Sequence, residues 1–373
     1  MNKKKLVCSG NTAWGMYNFR GKVLEHFAES WDVTVVVPHD EIFSKKIQDI
    51  GCKVIDIDIQ SKGRNPLADI WLTIRYMQIL KKIKPDLSIT YTIKPNIYAS
   101  IAASFLKIPF LPITTGLGYI FLHNNMTSKV AKSLYKFAFS KASKVWFLNN
   151  DDMRIFKDAR LIASEKVELL HGEGIDTDKL SFVPLDTSKN NLTFLLIGRM
   201  ISDKGLYEYV DAARIVKKKY PDVEFQLLGP MWPGNPAAVS EEQLTKWHEE
   251  GVVRYLGATN NVSQYIEKAD CVVLPSKYRE GVPFTLMEGA SKGRPLIATD
   301  IPGCQDVIID GETGFLCEVK DVESLSQAMI KMIELSPEER QKMGTAGRKY
   351  MVHEFDIKKI IKQYDEFAAS VIN

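Results

Sequence analysis

Two groups of residues in the second half of the chain have the types and spacing to do chemistry. The apolar run 194–197 leads into Gly198-Arg199-Met200-Ile201-Ser202-Asp203-Lys204-Gly205. Two cations five residues apart on a strand-to-helix turn suit a diphosphate. Arginine can grip phosphate bidentately and lysine acts as a point charge. A helix opening near Gly205 adds unpaired N–H groups. Taken alone, the same pair also reads as two solvated surface charges. The second group is Glu280-Gly281-Val282-Pro283-Phe284-Thr285-Leu286-Met287-Glu288, after the run 271–274. Pro283 suits the first turn of a helix, and Gly281 lets backbone approach a ligand closely. Glu280 then projects from before the helix and Glu288 from inside it. Two carboxylates held this way can each accept a pair of sugar hydroxyls. The plainer alternative is that Glu280 caps the helix. Phe284, Leu286 and Met287 read as core.

Positioning these groups needs a scaffold of alternating strands and helices. The chain has 373 residues, 45% hydrophobic and 25% charged, which is material for two globular cores. Strands are expected at 5–8, 33–37, 54–59, 87–91, 109–114 and 145–148, and again at 194–197, 224–228, 253–256, 271–274, 295–298 and 314–317. Helices are expected at 20–29, 66–83, 96–106 and 128–140, then at 205–219, 262–268, 283–292 and 324–335. That alternation predicts an α/β protein of two Rossmann-like, doubly wound domains. The boundaries read 1–180 and 181–356, with 172–191 as linker and 357–373 as a helix crossing back to the first domain. Binding crevices lie at the carboxyl ends of such strands, so a site in a cleft between facing domains is expected.

Composition excludes several classes. The net charge of +3 rules out a polyanionic or histone-like chain, and no nucleic-acid partner is expected. Five cysteines with no C-x-x-C pair suit a reducing cytosol rather than a disulfide framework. No window reaches the ~18 uninterrupted apolar residues of a membrane-spanning helix. Asp56-Ile57-Asp58 sits in an alternating run with Ile55 and Ile59. It therefore reads as a strand with one wet face rather than a metal site.

Together the two groups resemble the C-terminal domain of retaining GT-B glycosyltransferases, specifically family 4. The paired glutamates correspond to Glu280 and Glu288, and the Arg/Lys pair to Arg199 and Lys204. In the first half, Tyr17-Asn18-Phe19-Arg20, Thr92-Ile93-Lys94-Pro95-Asn96-Ile97-Tyr98 and Thr115-Gly116-Leu117-Gly118-Tyr119 resemble the subgroup that builds bacterial surface polysaccharides and lipid-linked oligosaccharides. So do Gly172-Glu173-Gly174-Ile175-Asp176, Leu228-Gly229-Pro230 and Gly234-Asn235-Pro236.

The resemblance implies a hexosyltransferase acting from a UDP-sugar on an undecaprenyl-diphosphate-linked acceptor, with no metal or other cofactor required. It gives Arg199, Lys204 and Glu280 the catalytic roles. Donor binding falls to Gly10, Gly15, Gly198, Thr259, Asn261, Gly281, Val282, Pro283, Phe284 and Glu288. Acceptor binding falls to Tyr17, Arg20, Lys94, Asn96, Thr115 and Gly116. The turn from Gly10 to Gly15 would face the diphosphate from the first domain. Many members carry a histidine in the loop that here reads Thr114-Thr115-Gly116-Leu117-Gly118. His123 and His171 stand nearby in sequence only and read as structural. Without an evident protein nucleophile, retention suits attack on the same face.

The charge is unevenly spread. Residues 1–180 hold 26 basic and 18 acidic side chains, and residues 181–373 hold 23 and 28. The helical runs 66–84 and 128–140 carry Arg75, Lys81, Lys82, Lys129, Lys132 and Lys136 beside Trp71, Tyr76, Tyr135 and Phe137. Each could be a solvated face. Both in the basic half point to peripheral contact with the inner face of the cytoplasmic membrane. Two other readings share the architecture. A dinucleotide enzyme is disfavoured by the missing G-x-G-x-x-G after Cys8. A sugar-nucleotide 2-epimerase would need no acceptor.

Overall fold

The computed structural model describes residues 3–59, 65–117, 126–186, 188–189 and 191–372. Gly118, Tyr119 and His123 lie outside them. The chain divides into two compact units. Unit 1 runs to Gly174 and resumes at Ile357, and unit 2 is Ile175–Asp356.

Unit 1 is built on a parallel sheet of seven strands in the order β3-β2-β1-β4-β5-β6-β7. These are β1 (Lys5–Ser9), β2 (Asp32–Val37), β3 (Lys53–Asp56), β4 (Leu87–Tyr91), β5 (Phe110–Thr114), β6 (Val145–Phe147) and β7 (Val167–Leu169). The strand order reverses between β1 and β4, where Leu6 pairs with Leu87 and Ser9 with Thr90. Both faces are covered, which is why β4 and β5 are buried throughout and show no alternation. The connecting helices are α1 (Ala13–Ser30), α2 (Glu41–Asp49), α3 (Pro66–Ile83), α4 (Ile93–Phe105), α5 (Met126–Phe139) and α6 (Asn150–Asp158).

The helix expected over 20–29 begins earlier, at Ala13, because the Thr12 hydroxyl caps it by accepting the Gly15 N–H at 3.1 Å. Strand β3 is shorter than expected. Beyond it Ile57 and Ile59 are buried while Asp56 bonds exposed His39 at 3.0 Å, the alternation read from Asp56-Ile57-Asp58.

Unit 2 has a parallel sheet of six strands in the order β10-β9-β8-β11-β12-β13. They are β8 (Thr193–Ile197), β9 (Glu224–Leu228), β10 (Arg254–Tyr255), β11 (Cys271–Leu274), β12 (Leu296–Thr299) and β13 (Gly314–Cys317). Its helices are α7 (Leu206–Lys219), α8 (Glu241–Glu249), α9 (Ser263–Lys268), α10 (Phe284–Ser291), α11 (Val322–Glu334) and α12 (Pro337–Tyr350). The reversal lies between β8 and β11, with Val273 opposite Leu196.

The residues read as linker are not a free tether. Within unit 2, Ile175 donates its N–H to Phe355 O at 2.8 Å. Arg348 grips Leu180 O and Thr177 O, both at 2.7 Å. Arg294 holds Val183 O, and Leu185 donates to Gln341 Oε1 at 2.8 Å. Buried carbonyls need donors, and arginines supply them. The break therefore falls at Gly174 rather than at 180.

Helix α13 (Ile357–Val371) belongs to unit 1. Its Tyr364 hydroxyl meets that of Tyr91 at 3.0 Å, and its ring packs edge-on against Trp146 at 5.0 Å. All five cysteines are buried and free. Among the described residues no helix is long and apolar enough to cross a membrane.

Candidate functional site

The loops after β8 and β11 flank the reversal of the second sheet, the place where a doubly wound fold opens a crevice. After β8 the chain makes a short 3-10 turn over Ser202–Lys204 and enters α7 through Gly205, with φ +75°. A Cβ at Gly205 would stand 1.9 Å from Pro275 O. Only glycine lets the two loops approach this closely.

That approach brings Lys204 to Glu280. Lys204 Nζ donates to Glu280 Oε1 at 2.6 Å, and Ser276 Oγ donates to the same oxygen at 2.6 Å. The two charged side chains are 19% and 20% exposed, so the pair is reachable from solvent. Glu280 does not cap α10, whose N-cap is Pro283 and which has no side-chain cap. Instead its N–H bonds Pro302 O at 3.1 Å.

Three further contacts brace the loop. Thr299 Oγ1 donates to Ser276 O at 2.7 Å, and the Lys277 N–H donates to Asp203 O at 2.9 Å. Gly303, at φ +90°, packs so close that a Cβ would meet Gly281 O at 2.4 Å. Ser276 and Lys277 were not singled out in the sequence. Their positions between strand and motif were the only signal.

Arg199 is exposed. Its guanidinium lies over the Trp232 ring, 5.2 Å from the centroid. Gly198 lies against the Lys204 side chain, 3.6 Å from a Cβ placed there. Val282 and Pro283 are buried, while Gly281 and Phe284 are half-buried. Glu288 points from inside α10, and burial pushes its carboxyl up to about 7, with Lys179 pulling the other way.

The linked effect on stability has a definite sign. The folded state keeps this proton to about pH 7, whereas an unfolded glutamate releases it near ~4.3. Glu288 therefore costs nothing in acid and costs up to about 4 kcal/mol above pH 7. We expect Glu288→Gln to raise the melting temperature at pH 8 and to leave it nearly unchanged at pH 4.5. A gap that did not vary with pH would contradict this.

The other expected residues are less tightly gathered. Asn261 donates its N–H to Thr259 Oγ1 at 3.0 Å, but this turn follows β10, two strands away from β8. It joins the site only indirectly, through Gly257 O, which accepts the Gly229 N–H at 2.9 Å.

In unit 1, Gly10 to Gly15 is not one turn. Gly15 already lies in α1, and Gly10 makes room for Met16, whose Sδ would be 2.6 Å from a Cβ. Tyr17 is half-buried and packs on Phe43 at 6.0 Å.

Arg20, read as an acceptor cation, is buried and paired with Glu173, and its guanidinium lies 4.8 Å from the Tyr91 ring centroid. Burial raises the Glu173 carboxyl, and Arg20 opposes that. Lys94 is likewise committed to Asp69 at 2.7 Å. Asn96 accepts from Thr90 Oγ1 at 2.8 Å and donates to Ile113 O at 2.8 Å. Arg20 and Lys94 are thus each engaged by a carboxylate, and Asn96 by Thr90 and Ile113. Thr115 and Gly116 are half-buried after β5. Thr92, at the end of β4, holds φ +66°, a conformation costly for a β-branched residue.

Comparison with known proteins decides the family. The model for "Glycosyl transferases group 1" matches residues 178–350 and the model for "Glycosyl transferase 4-like" matches residues 6–149. The chain is a GT-B glycosyltransferase of the family-4 type.

This glycosyltransferase is 27% identical over 336 residues to the N,N'-diacetylbacillosaminyl-diphospho-undecaprenol alpha-1,3-N-acetylgalactosaminyltransferase of Campylobacter jejuni, covering 86% of each chain. It is 25% identical over 325 residues to the UDP-Gal:alpha-D-GlcNAc-diphosphoundecaprenol alpha-1,3-galactosyltransferase of Escherichia coli, covering 82% of this chain and 81% of the other. Its fold is shared with Anabaena HepE, crystallised with UDP, at a TM-score of 0.82 and 20% identity over 98% of this chain and 100% of that one.

Proposed function

We propose that this glycosyltransferase moves a hexose or N-acetylhexosamine from a UDP-sugar, with retention, to a hydroxyl of an undecaprenyl-diphosphate-linked glycan. The observation that carries the reading is the Lys204–Glu280 pair at the sheet reversal, with Arg199 making no ion pair among the described residues. Without donor, Glu280 neutralises Lys204. When a donor enters, the ammonium turns to the diphosphate, and the Glu280 oxygens are released to accept from sugar hydroxyls. Breaking the sugar–phosphate bond puts negative charge on departing UDP. Cations already in place stabilise that charge more in the transition state than in the ground state. The acceptor hydroxyl attacks from the face the diphosphate leaves, and its proton passes to a phosphate oxygen of the leaving group. No metal is required in this scheme, so EDTA should leave turnover unchanged. UDP and UDP-glucose bound in HepE structures support the donor, and the two lipid-linked relatives support the acceptor.

The test is transfer from a panel of UDP-sugars to a polyprenyl-diphosphate-linked glycan, with the product anomer read by NMR. An α-linked product from an α-donor is expected. An inverted product would remove same-face attack, and donor turnover without acceptor would favour an epimerase.

The acceptor's lipid implies contact between unit 1 and an anionic membrane, at the inner face of the cytoplasmic membrane. Supporting this, α3 exposes Leu67, Ile70, Trp71 and Ile74, one helical stripe at i, i+3, i+4 and i+7. Arg75, Lys81 and Lys82 are exposed farther along the same helix. Helix α5 exposes Val130 and Phe137, each next to a lysine, Lys129 and Lys136. Apolar insertion with basic flanks binds anionic interfaces. Flotation with anionic vesicles at physiological salt is expected for the native chain and lost in Ile70→Glu/Trp71→Glu at unchanged melting temperature. Equal flotation of both proteins would remove the docking surface.

A further inference from the structure

The two cations of the site are held in opposite ways. Lys204 is neutralised by a carboxylate at 2.6 Å. Arg199 makes no ion pair among the described residues, and its neighbour is the face of Trp232. A contact to a ring face attracts the cation through the aromatic quadrupole. It uses none of the five guanidinium N–H donors. It also limits the rotamer freedom that an exposed arginine otherwise loses on gripping a ligand.

Trp232 is 41% exposed, yet the segment that carries it is tightly fixed. The loop after β9 is stitched to the loop after β8. Gly198 N–H bonds Leu228 O at 3.0 Å, Met200 N–H bonds Pro230 O at 2.9 Å, and Ser202 N–H bonds Ala237 O at 2.7 Å. Val239 N–H returns to Met200 O at 3.0 Å. Gly229, at φ +146°, lets the strands' ends meet where a Cβ would stand 1.9 Å from Gly198 O. Asn235 closes the turn, donating its N–H to Trp232 O at 3.2 Å and accepting from Ala237 N at 2.9 Å. Pro230, Pro233 and Pro236 restrict the backbone further. Indole and guanidinium thus ride on one frame.

We infer that Trp232 is a positioning residue for the donor diphosphate, holding Arg199 by its face so that the arginine's N–H donors stay available to phosphate. This rests on the donor reading above. On this inference the effect of Trp232 passes through Arg199.

The experiment compares native protein with Trp232→Ala, Trp232→Phe, Arg199→Ala and the Trp232→Ala/Arg199→Ala double variant. UDP affinity is read by calorimetry, uridine binding by ligand-observed NMR, and folding by melting temperature. Trp232→Ala should weaken UDP about two- to fivefold, the range of an exposed cation–π contact, and leave uridine binding unchanged. Trp232→Phe, which keeps a ring face, should recover most of the loss even if the alanine variant folds poorly. In the Arg199→Ala background, Trp232→Ala should add nothing. Native-like UDP affinity in Trp232→Ala overturns the inference. So does equal weakening of uridine, or a loss additive to that of Arg199→Ala. Unchanged UDP affinity in Arg199→Ala removes the donor reading itself, a result distinct from those three.

Discussion

Lys204→Ala is expected to lose turnover by about 10²–10³-fold, the effect of removing one preorganised group from a developing oxyanion. The 2.6 Å contact to Glu280 holds the ammonium at the crossover before any ligand arrives, so a turn of the side chain towards the diphosphate on donor binding brings it into place ahead of the chemical step. The loss should fall mainly on kcat, because the negative charge that the ammonium meets on the diphosphate grows as the bond to the sugar breaks. Glu280 keeps its Ser276 partner at 2.6 Å in the variant, so the carboxylate is not left without a hydrogen bond and the loop should hold. Initial rates at saturating UDP-sugar are the measurement. Turnover within a few fold of native would exclude Lys204 from the leaving-group role.

Gly205→Ala is expected to damage the same site through the backbone. The residue sits at φ +75°, and an added methyl would lie 1.9 Å from Pro275 O and 2.7 Å from Pro275 C. Neither atom belongs to a flexible side chain, so the loops after β8 and β11 must separate. Positive φ and overpacking together should cost about 3 kcal/mol. In a unit of this size that corresponds to a fall of roughly 6–12 °C in melting temperature. Because Lys204 and Glu280 stand on the loops that move apart, activity should fall at temperatures where the variant is still folded. A melting temperature within a degree or two of native would mean that the contact is relieved elsewhere.

The alternation of short apolar runs with amphipathic ones was enough to read both sheets, since parallel strands buried on two faces leave continuous apolar segments. β4, β9, β11 and β13 fall at the expected residues. What escaped were elements with weak patterns. β7 is a three-residue strand, Val167–Leu169, and α2, α6, α8 and α12 are dominated by charge. The approach of Lys204 to Glu280 was legible because both follow apolar runs at strand-to-helix turns, and such turns at one sheet reversal bring distant residues together. Arg20, Lys94 and Asn96 each meet a charged or polar partner within unit 1, a feature hidden in the sequence because a charged or polar residue in a short motif looks the same whether it faces a ligand or a buried partner. Glu173 lies 153 residues from Arg20, and no local pattern announces such a pair. Trp232 was hidden for the same reason, since its value depends on a neighbouring loop.

The return of α13 to unit 1 has a consequence for how the molecule is made. Strands β1 to β7 emerge from the ribosome first, yet the surface around Trp146 and Tyr91 stays uncovered until Tyr364 arrives, 273 residues after Tyr91. Unit 2 is continuous and can close on itself while that surface waits. Pairings over such separations require slow loop closure, and exposed apolar surface in the interval invites aggregation. The half of the chain that is synthesised first is therefore the half that matures last, and its dependence on chaperones during synthesis should exceed that of its partner.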